Sequence, residues 1–375
     1  MIDTVILIIP KEKVISLNNT DNRFPNWTKN IMGNYFTYIK NSTRFDIENG
    51  LSFIKMTGYI TSFDTENANP IMVNIEFSVP KLIYGNNLDE ISENQFQTVI
   101  DRLHERLISM GELVDKADLE NALVSRFHVS KNTVITGGYS SSSIINELNK
   151  INLTKKLELT KVNFKNSGHS LQMFALSHSI VFYDKILDLN QHDKKAIDQE
   201  QTKKQFSLFS EIKTHQPNLE VLRMEVRFNK KRKMNSILSK LGFRKNPTFK
   251  DIFKKEVCQK IIKWYWDNII KDENLFLFEL SNNPKQLYKD ILRKNPKMKV
   301  KQAIFMVGLN ILCKDEGGIR ELRRISEKRI TQRNWYCINN NIKLLNTDPV
   351  YHDWVNQIDY DISSFKPFHY ELGPP

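Results

Sequence analysis

The spacing of apolar residues in the first part of the chain predicts a series of β-strands. Short runs of β-branched and aromatic residues occur at positions 3–9, 52–63, 71–79, 123–130, 170–176, 178–184 and 219–228. The run 71–79 stops at Pro80, as a strand should, because proline has no backbone N–H to donate to a neighbouring strand. We therefore expect an antiparallel sheet in this part of the chain.

A longer period, close to that of an α-helix, predicts the helices. The segment 94–111 has apolar residues on one helical face and ends at Gly111, a typical C-cap, and 137–151 predicts a helix capped by serine. The polar segment 190–218 predicts an exposed helix or a mobile excursion between two strands. After Asn229 the period predicts helices at 231–241, 249–271, 284–293, 299–314, 317–326 and 328–344.

These patterns together predict an α+β fold in three parts. Residues 1–229 form a domain around the antiparallel sheet, residues 230–346 form a helical region, and residues 347–375 form a tail that wraps onto the body. In the segment 299–314, one helical face is apolar and contains Val300, Ala303, Ile304, Val307 and Ile311. A glycine pair and a basic helix follow, an order compatible with a helix-turn-helix-like module.

Apolar runs and cysteines indicate which class of protein this is. No apolar run approaches the roughly 18 residues that span a bilayer, so we expect no contact with a membrane. The apolar start MIDTVILIIP contains Asp3 and predicts a first strand rather than a signal peptide. Cys258, Cys313 and Cys337 are far apart, which fits core thiols in a reducing cytosol and argues against disulfides or a cysteine zinc site.

The charge of the chain points to a polyanionic partner. The sequence has 55 Lys and Arg against 43 Asp and Glu, a net charge of +12. The basic residues concentrate in 229–263 and 285–333, which favours nucleic acid, although they could also be an ordinary solvated surface. The chain has no phosphate-binding loop, no dinucleotide fingerprint, no zinc-protease motif and no serine-hydrolase elbow.

Three predicted strands carry a single polar residue where burial is expected. These residues are Glu76, His128 and Glu225. If the strands are neighbours, two carboxylates and an imidazole would form a site for Mg²⁺ or Mn²⁺. Each glutamate could instead pair with a nearby arginine, namely Arg126, Arg223 or Arg227.

The strand 178–184 ends in an unusual group of polar residues. Tyr183 is followed by Asp184 and Lys185, and on a strand the side chains of Tyr183 and Lys185 would point to the same face. A phenol, with a pKa of about 10, is a poor nucleophile unless nearby cations favour the phenolate. Tyr183 therefore is either a nucleophile for phosphoryl transfer or a core tyrosine at a strand end, and Asp184 is a surface or capping residue.

Five segments, in order, resemble a known family. They are MIDTVILIIP at the start, IEFSVPKLIYGNN at 75–87, SRFHVS at 125–130, SIVFYDKILDL at 179–189 and VLRMEVRF at 221–228. In order and rough spacing along residues 1–245 they resemble the gene II/X-type replication initiators of filamentous phages and related phage and plasmid elements. The chain departs from that family at His128, where the family usually has aspartate, which leaves the identity of the metal open.

The resemblance implies a rolling-circle initiator in the cytoplasm of a bacterial host. Such a protein nicks one strand of its origin, keeps the new 5′ end as a phosphotyrosine and rejoins the strand after synthesis. Tyr183 matches the nucleophile of the family, Lys185 its adjacent lysine, and Glu76 and Glu225 its acidic residues. The implied cofactor is Mg²⁺ or Mn²⁺, and the implied partners are double- and single-stranded origin DNA and the host helicase and polymerase.

The basic helical region is then expected to hold the origin duplex. The candidates for phosphate contacts, which could equally coat a solvated face, are Arg320, Arg323, Arg324, Lys328, Arg329 and Arg333. Trp264, Tyr265 and Trp266 could stack on unpaired bases, although core packing is the expected fate of at least two. Two alternatives remain open: an origin-binding initiator or repressor that does not nick, and an RNA-binding protein or nuclease without a covalent intermediate.

Overall fold

A large antiparallel sheet forms the centre of the computed structural model. The structure describes residues 1–17, 24, 26–32, 35–43, 46, 51–61, 71–151, 162–165, 169–189, 203–271, 283–314, 318–326, 329–344 and 353–370. Within these residues the protein has an α+β fold, as the sequence predicts, with a sheet, helices packed on it and a helical region towards the C-terminus.

Most of the predicted segments form strands, and the structure contains several further strands that were not predicted. The strands are β1 (Ile2–Pro10), β2 (Ile15–Ser16), β3 (Thr28–Met32), β4 (Tyr35–Asn41), β5 (Ile54–Thr61), β6 (Met72–Ser78), β7 (Glu112–Leu113), β8 (Leu123–Ile135), β9 (Val162–Lys165), β10 (Ser170–Phe174), β11 (His178–Asp184) and β12 (Glu220–Phe228). Ten of them form one sheet in the order β3-β4-β5-β6-β1-β8-β12-β11-β10-β9. Every neighbouring pair is antiparallel, and β2 pairs separately with β7.

The helices lie around the sheet and in the C-terminal region. They are α1 (Val79–Tyr84), α2 (Phe96–Ser109), α3 (Lys116–Glu120), α4 (Ser141–Asn149), α5 (Lys185–Asp188), α6 (Lys203–His215), α7 (Lys231–Lys240), α8 (Phe249–Ile252), α9 (Lys255–Tyr265), α10 (Pro284–Lys294), α11 (Val300–Lys314), α12 (Gly318–Ser326), α13 (Gln332–Leu344) and α14 (Asp353–Ser364). A π-helical turn, Trp266–Lys271, continues α9. In the described part of the chain, no helix combines the length and the apolar character needed to cross a bilayer.

The two faces of the sheet differ in polarity. On β12, Leu222, Met224 and Val226 point into the main apolar core, to which α2, α4, α7, α8, α9 and α14 also contribute. Because side chains alternate along a strand, Arg223 and Glu225 point to the opposite face. The central strands therefore present their buried polar side chains on the face away from the main core.

The main core extends beyond the predicted first domain. Helices α7 to α9 bury their apolar residues in it, and a second apolar cluster contains residues from Leu287 onwards. That second cluster contains Leu287, Ile291, Ala303, Met306, Leu309, Cys313, Ile319, Trp335 and Ile342. The predicted tail contains α14, whose Trp354 and Ile358 are buried in the main core.

The face of helix α11 that packs in the second apolar cluster differs from the face that the spacing of apolar residues predicts. Its buried face contains Ala303, Met306, Leu309 and Cys313, whereas Val300, Ile304 and Ile311, which the sequence places on its apolar face, are more than half exposed, at 57%, 59% and 51%. The helix is apolar on most sides, so its period alone does not select the buried face. Cys337 on α13 is also exposed, contrary to the prediction of a core thiol.

Substitution of Gly318 by alanine is expected to destabilise the protein. Gly318 has φ +58°, and a Cβ there would lie 2.8 Å from the carbonyl oxygen of Lys150. Strain of this kind costs about 1–3 kcal/mol. In contrast, Gly308→Ala in α11, where a Cβ would meet nothing within 4 Å, should stabilise by about 0.5–1 kcal/mol. Urea unfolding of both variants tests this; equal effects of the two substitutions would contradict it.

Candidate active site

Tyr183 and Glu225 meet on the polar face of the sheet. In the register of β11 and β12, Tyr183 is opposite Arg223, and Glu225 is opposite Val181. The two side chains are therefore diagonal neighbours, and the Tyr183 hydroxyl donates a hydrogen bond to Glu225 Oε2 at 3.3 Å. Tyr183 is only 9% exposed and Glu225 only 1%. The tyrosine that the sequence singles out thus contacts a carboxylate that the sequence also singles out.

His128 and Asp3 complete a cluster around Glu225. On β8, His128 is opposite Arg227, and its Nδ1 lies 3.2 Å from Glu225 Oε1. Asp3 lies on β1 where the pairing of β1 with β8 shifts register, between Ile2 and Val5. Ligand atoms of Asp3, His128 and Glu225 all lie within 4.8 Å of one another.

Asp3 is a site residue that the sequence analysis did not assign. It is the only charged residue in β1, and it is 7% exposed. A single carboxylate in an otherwise apolar strand was the signal that could have identified it, because such a group requires a buried partner. In the sequence alone, Asp3 argues only against a signal peptide.

Glu76, which the sequence predicts as a metal ligand, does not join this group. It lies half-buried on β6, opposite Ile6 of β1 and Lys55 of β5. Strand β1 separates β6 from β8, and β1 contributes its own carboxylate, Asp3, to the cluster. The order of strands in the sheet, which is a non-local property, decides which acidic residue is near His128.

Two arginines neutralise the carboxylates of the cluster. Arg227 Nε and Nη2 each donate to Glu225 at 2.9 Å. Arg223 is fully buried and donates to Asp3 Oδ1 at 3.1 Å, to Asn132 Oδ1 at 2.7 Å and to the carbonyl oxygen of Asn87. Glu225 therefore does pair with an arginine, which is the alternative that the sequence left open.

Burial and nearby charges shift the pKa values of both Glu225 and Tyr183. Burial by itself raises the pKa of the Glu225 carboxyl, but Arg227 and His128 outweigh burial and hold that pKa well below its usual value. Burial raises the pKa of Tyr183 well above 10, and the charge of Arg223 acts in the opposite direction. In this state Glu225 is a carboxylate and Tyr183 is a neutral phenol.

Lys185 lies beside Tyr183, but for a different reason than predicted. Strand β11 ends at Asp184, whose side chain accepts a hydrogen bond from the Leu187 N–H at 3.0 Å and caps α5. Lys185 is therefore the first residue of a helix rather than part of the strand. It is fully buried, its Nζ donates to Asn87 Oδ1 at 2.8 Å and to Asp188 Oδ2 at 2.7 Å, and Nζ is 5.5 Å from the centre of the Tyr183 ring.

The donors of the cluster fit a divalent cation. Two carboxylates and one imidazole are ligands that Mn²⁺ accepts, whereas Mg²⁺ prefers oxygen alone. Each carboxylate oxygen has two lone pairs, so Asp3 and Glu225 can contact a cation while they keep hydrogen bonds from Arg223 and Arg227. Asp3, His128 and Glu225 are the residues that would hold it.

The predicted phosphate-binding arginines lie on and between α12 and α13. Arg320 is half-buried, Arg324 is exposed and paired with Glu321 of the same helix, and Arg329 and Arg333 are exposed. The guanidinium of Arg323 lies over the Trp335 ring, 5.6 Å from its centre. Lys328 lies outside the described residues.

The aromatic group in α9 is mostly core, as predicted. Tyr265 and Trp266 are fully buried. Trp264 is half-buried, and Lys240 Nζ lies 4.6 Å from the centre of its ring. Tyr265 and Trp266 are therefore not surfaces on which bases can stack.

Acidification is expected to remove the stability that Glu225 contributes. Because its folded-state pKa is below its ordinary value of 4.5, this contribution is complete above pH 4.5 and is lost as the pH falls towards the folded-state pKa. Glu225→Gln should therefore lower the free energy of unfolding by about 2 kcal/mol at pH 7, and by progressively less below pH 4.5. Urea unfolding between pH 7 and 3 measures this, with Glu105→Gln, an exposed carboxylate of α2, as the control. A constant difference at all pH values would contradict the prediction.

Comparison with known proteins does not identify a family. Neither protein-family models, nor curated proteins, nor solved structures match the chain.

Proposed function

We propose that the protein is a rolling-circle replication initiator of the gene II/X type, which nicks one strand of its origin and holds the 5′ end on Tyr183. The observation that carries the proposal is the hydrogen bond from Tyr183 to Glu225 within a group of residues suited to bind a divalent cation. The ordered resemblance along residues 1–245 and the basic helical region agree with it.

The proposed reaction is a balanced transesterification. The Tyr183 oxygen forms a bond to the scissile phosphorus, and the bond from phosphorus to the 3′ oxygen breaks. The products are a 5′-phosphotyrosine and a 3′ oxygen, which takes up a proton to become a free hydroxyl while the Tyr183 phenol loses one. Attack by a 3′ hydroxyl on the phosphotyrosine reverses the reaction and rejoins the strand. No ATP is consumed, in keeping with a chain that has no phosphate-binding loop motif.

The neighbours of Tyr183 have distinct roles in this reaction. Glu225 orients the phenol through the hydrogen bond at 3.3 Å. Because its pKa is held well below its usual value, Glu225 is a weak base that stays a carboxylate and accepts this hydrogen bond. Arg223 and Lys185 place positive charge near the phenolate that develops. A divalent cation held by Asp3, His128 and Glu225 would neutralise charge on the phosphate.

A second candidate, an origin-binding initiator or repressor that does not nick, is favoured by the burial of the cluster. Asp3, Glu225 and Arg223 are each less than 9% exposed and are bonded to one another or to neighbouring groups. Such a network also occurs as a purely structural feature of folded proteins. Only the first candidate forms a covalent intermediate between the protein and DNA.

A covalent adduct is the test of the proposed function. The protein is incubated with supercoiled DNA of its own replicon in Mn²⁺, in Mg²⁺ or in EDTA, and denatured with SDS. We expect a nick and protein attached to the 5′ end in at least one metal, and neither product in EDTA. Tight binding to the origin without a nick or an adduct in either metal would favour the second candidate.

A further inference from the structure

The charged and amide side chains of helix α13 include no carboxylate. Its sequence, QRNWYCINNNIKL, contains five side-chain amides, one arginine and one lysine but no carboxylate. Helices α10 and α12 each contain an acidic residue, Asp290 and Glu321, whereas α11, like α13, contains none. Amide and guanidinium groups are the side chains that make paired hydrogen bonds with adenine and guanine edges in the major groove. The composition of α13 therefore suits base contacts as well as phosphate contacts.

The packing of α13 leaves Arg333 and Asn340 on its exposed face. Trp335 and Ile342 are buried in the second apolar cluster, and Ile338 packs against it. The opposite face is exposed and consists of Arg333, Tyr336, Cys337 and Asn340, which are spaced by three, four and seven residues from the first. One side of the helix is thus anchored, and the other is an exposed stripe that carries Arg333 and Asn340.

The start of the helix is also well defined. Thr331 caps it: the Asn334 N–H donates to Thr331 Oγ1 at 3.3 Å, and the Trp335 N–H donates to the Thr331 carbonyl at 3.0 Å. The first turn, Gln332 to Asn334, is exposed. In helix-turn-helix proteins, the first residues of the recognition helix are those that contact base edges.

Exposed arginines lie close to α13 in the chain, and positive charge matches a DNA backbone. Arg329 precedes the helix, and Arg324, which is paired with Glu321, lies near the end of α12; both are exposed. Arg323 covers the buried Trp335 from α12 and links the two helices. A helix of 13 residues is about 20 Å long and can lie in a major groove, whereas the deep, narrow major groove of duplex RNA cannot admit it.

We propose that α13 is the recognition helix for duplex DNA and that Arg333 and Asn340 contact base edges. This proposal rests on the proposed function in one respect, the binding of an origin duplex. It goes further because it assigns the reading of sequence to one face of one helix. Arg329 and Arg324 then hold phosphates and carry no sequence preference.

Selection from a random duplex DNA library tests the assignment without knowledge of the origin. The full-length protein is used in EDTA, so that binding is separated from nicking. The wild-type protein should enrich one sequence motif. Arg333→Ala and Asn340→Ala should each relax the preference at one position of that motif by about tenfold, the effect of losing a paired base contact. Both residues are exposed, so unchanged melting temperatures verify folding.

Matched variants distinguish base contacts from general electrostatics. Lys289→Ala removes an exposed positive charge from α10, and Arg329→Ala removes one next to α13. Both should preserve the motif, and Arg329→Ala should weaken binding to all sequences alike and reduce the salt dependence of binding. Enrichment of no motif, or a motif that both α13 variants retain in full, would overturn the assignment. The Tyr183→Phe protein should select the same DNA motif as the wild type. The selection therefore tests the role of α13 even if the protein does not nick DNA.

Discussion

Replacing Tyr183 by phenylalanine is expected to abolish the covalent adduct and to lower the rate of nicking by about 10³-fold or more, because the nucleophilic oxygen is lost. The fold should tolerate the change. The ring remains in its buried position, and the hydroxyl loses one hydrogen bond, to Glu225 at 3.3 Å, worth about 1 kcal/mol. Nicking of supercoiled origin DNA and SDS-resistant attachment to a 5′ end are the measurements.

Two other tyrosines provide controls for this substitution. Tyr139 is half-buried near the start of α4, and Tyr84 in α1 donates to Gln95 at 2.9 Å. Tyr139→Phe and Tyr84→Phe should retain the adduct. If the adduct persists in Tyr183→Phe and disappears in one of the others, the nucleophile is that tyrosine, and the role proposed for Glu225 is wrong.

Replacing Arg223 by methionine is expected to cause the largest loss of stability among the site variants. Arg223 is fully buried and donates to Asp3, Asn132 and Asn87. Its removal leaves the Asp3 carboxylate without its arginine in the interior, and breaking a buried pair in this way costs about 3–5 kcal/mol. Urea unfolding at pH 7 measures the loss. Arg227→Met, at a side chain that is one third exposed, should cost less.

A double variant tests the cause of that loss. If the uncompensated charge of Asp3 is responsible, Asp3→Asn combined with Arg223→Met should be more stable than Arg223→Met alone, since the substitution at Asp3 removes the buried charge. If the double variant is less stable than Arg223→Met, the loss comes from packing and from the hydrogen bonds to Asn132 and Asn87. Far-UV circular dichroism of each variant verifies that the comparison is between folded proteins.

Local patterns predicted most of the secondary structure because the patterns depend on nearest neighbours. The runs at 3–9, 123–130 and 219–228 became β1, β8 and β12, and the period at 94–111 became α2. Short elements were missed: β2 and β7 have two residues each, too few to show a period. Helix α14 was missed because its segment was interpreted as part of a tail, although Trp354, Val355, Ile358 and Ile362 follow a helical period.

The site was predicted in part for a similar reason. A single polar residue in a buried strand is visible in the sequence, and this pattern identified His128 and Glu225, together with Glu76. Tyr183 was identified by the polar group that ends its strand. Asp3 and Glu76 show the limit of this pattern, since both are carboxylates in apolar strands. The strand order β6-β1-β8-β12 places Asp3 near His128 and leaves Glu76 outside the cluster, and the sequence does not contain that order. Lys185 shows a second limit: its position beside Tyr183 comes from the helix that Asp184 caps.

By itself, the sequence determined the α+β class, most strands and helices and the concentration of basic residues in the second half, and it singled out Tyr183, His128 and Glu225 as candidates. Each of these depends on residues that are close together in the chain. The tertiary structure alone decided which strands are neighbours, which face of α11 is buried, and that Arg227 and Arg223 hold Glu225 and Asp3. These contacts join residues as far as 220 positions apart. They depend on the packing of the whole sheet and its helices, which no local pattern contains.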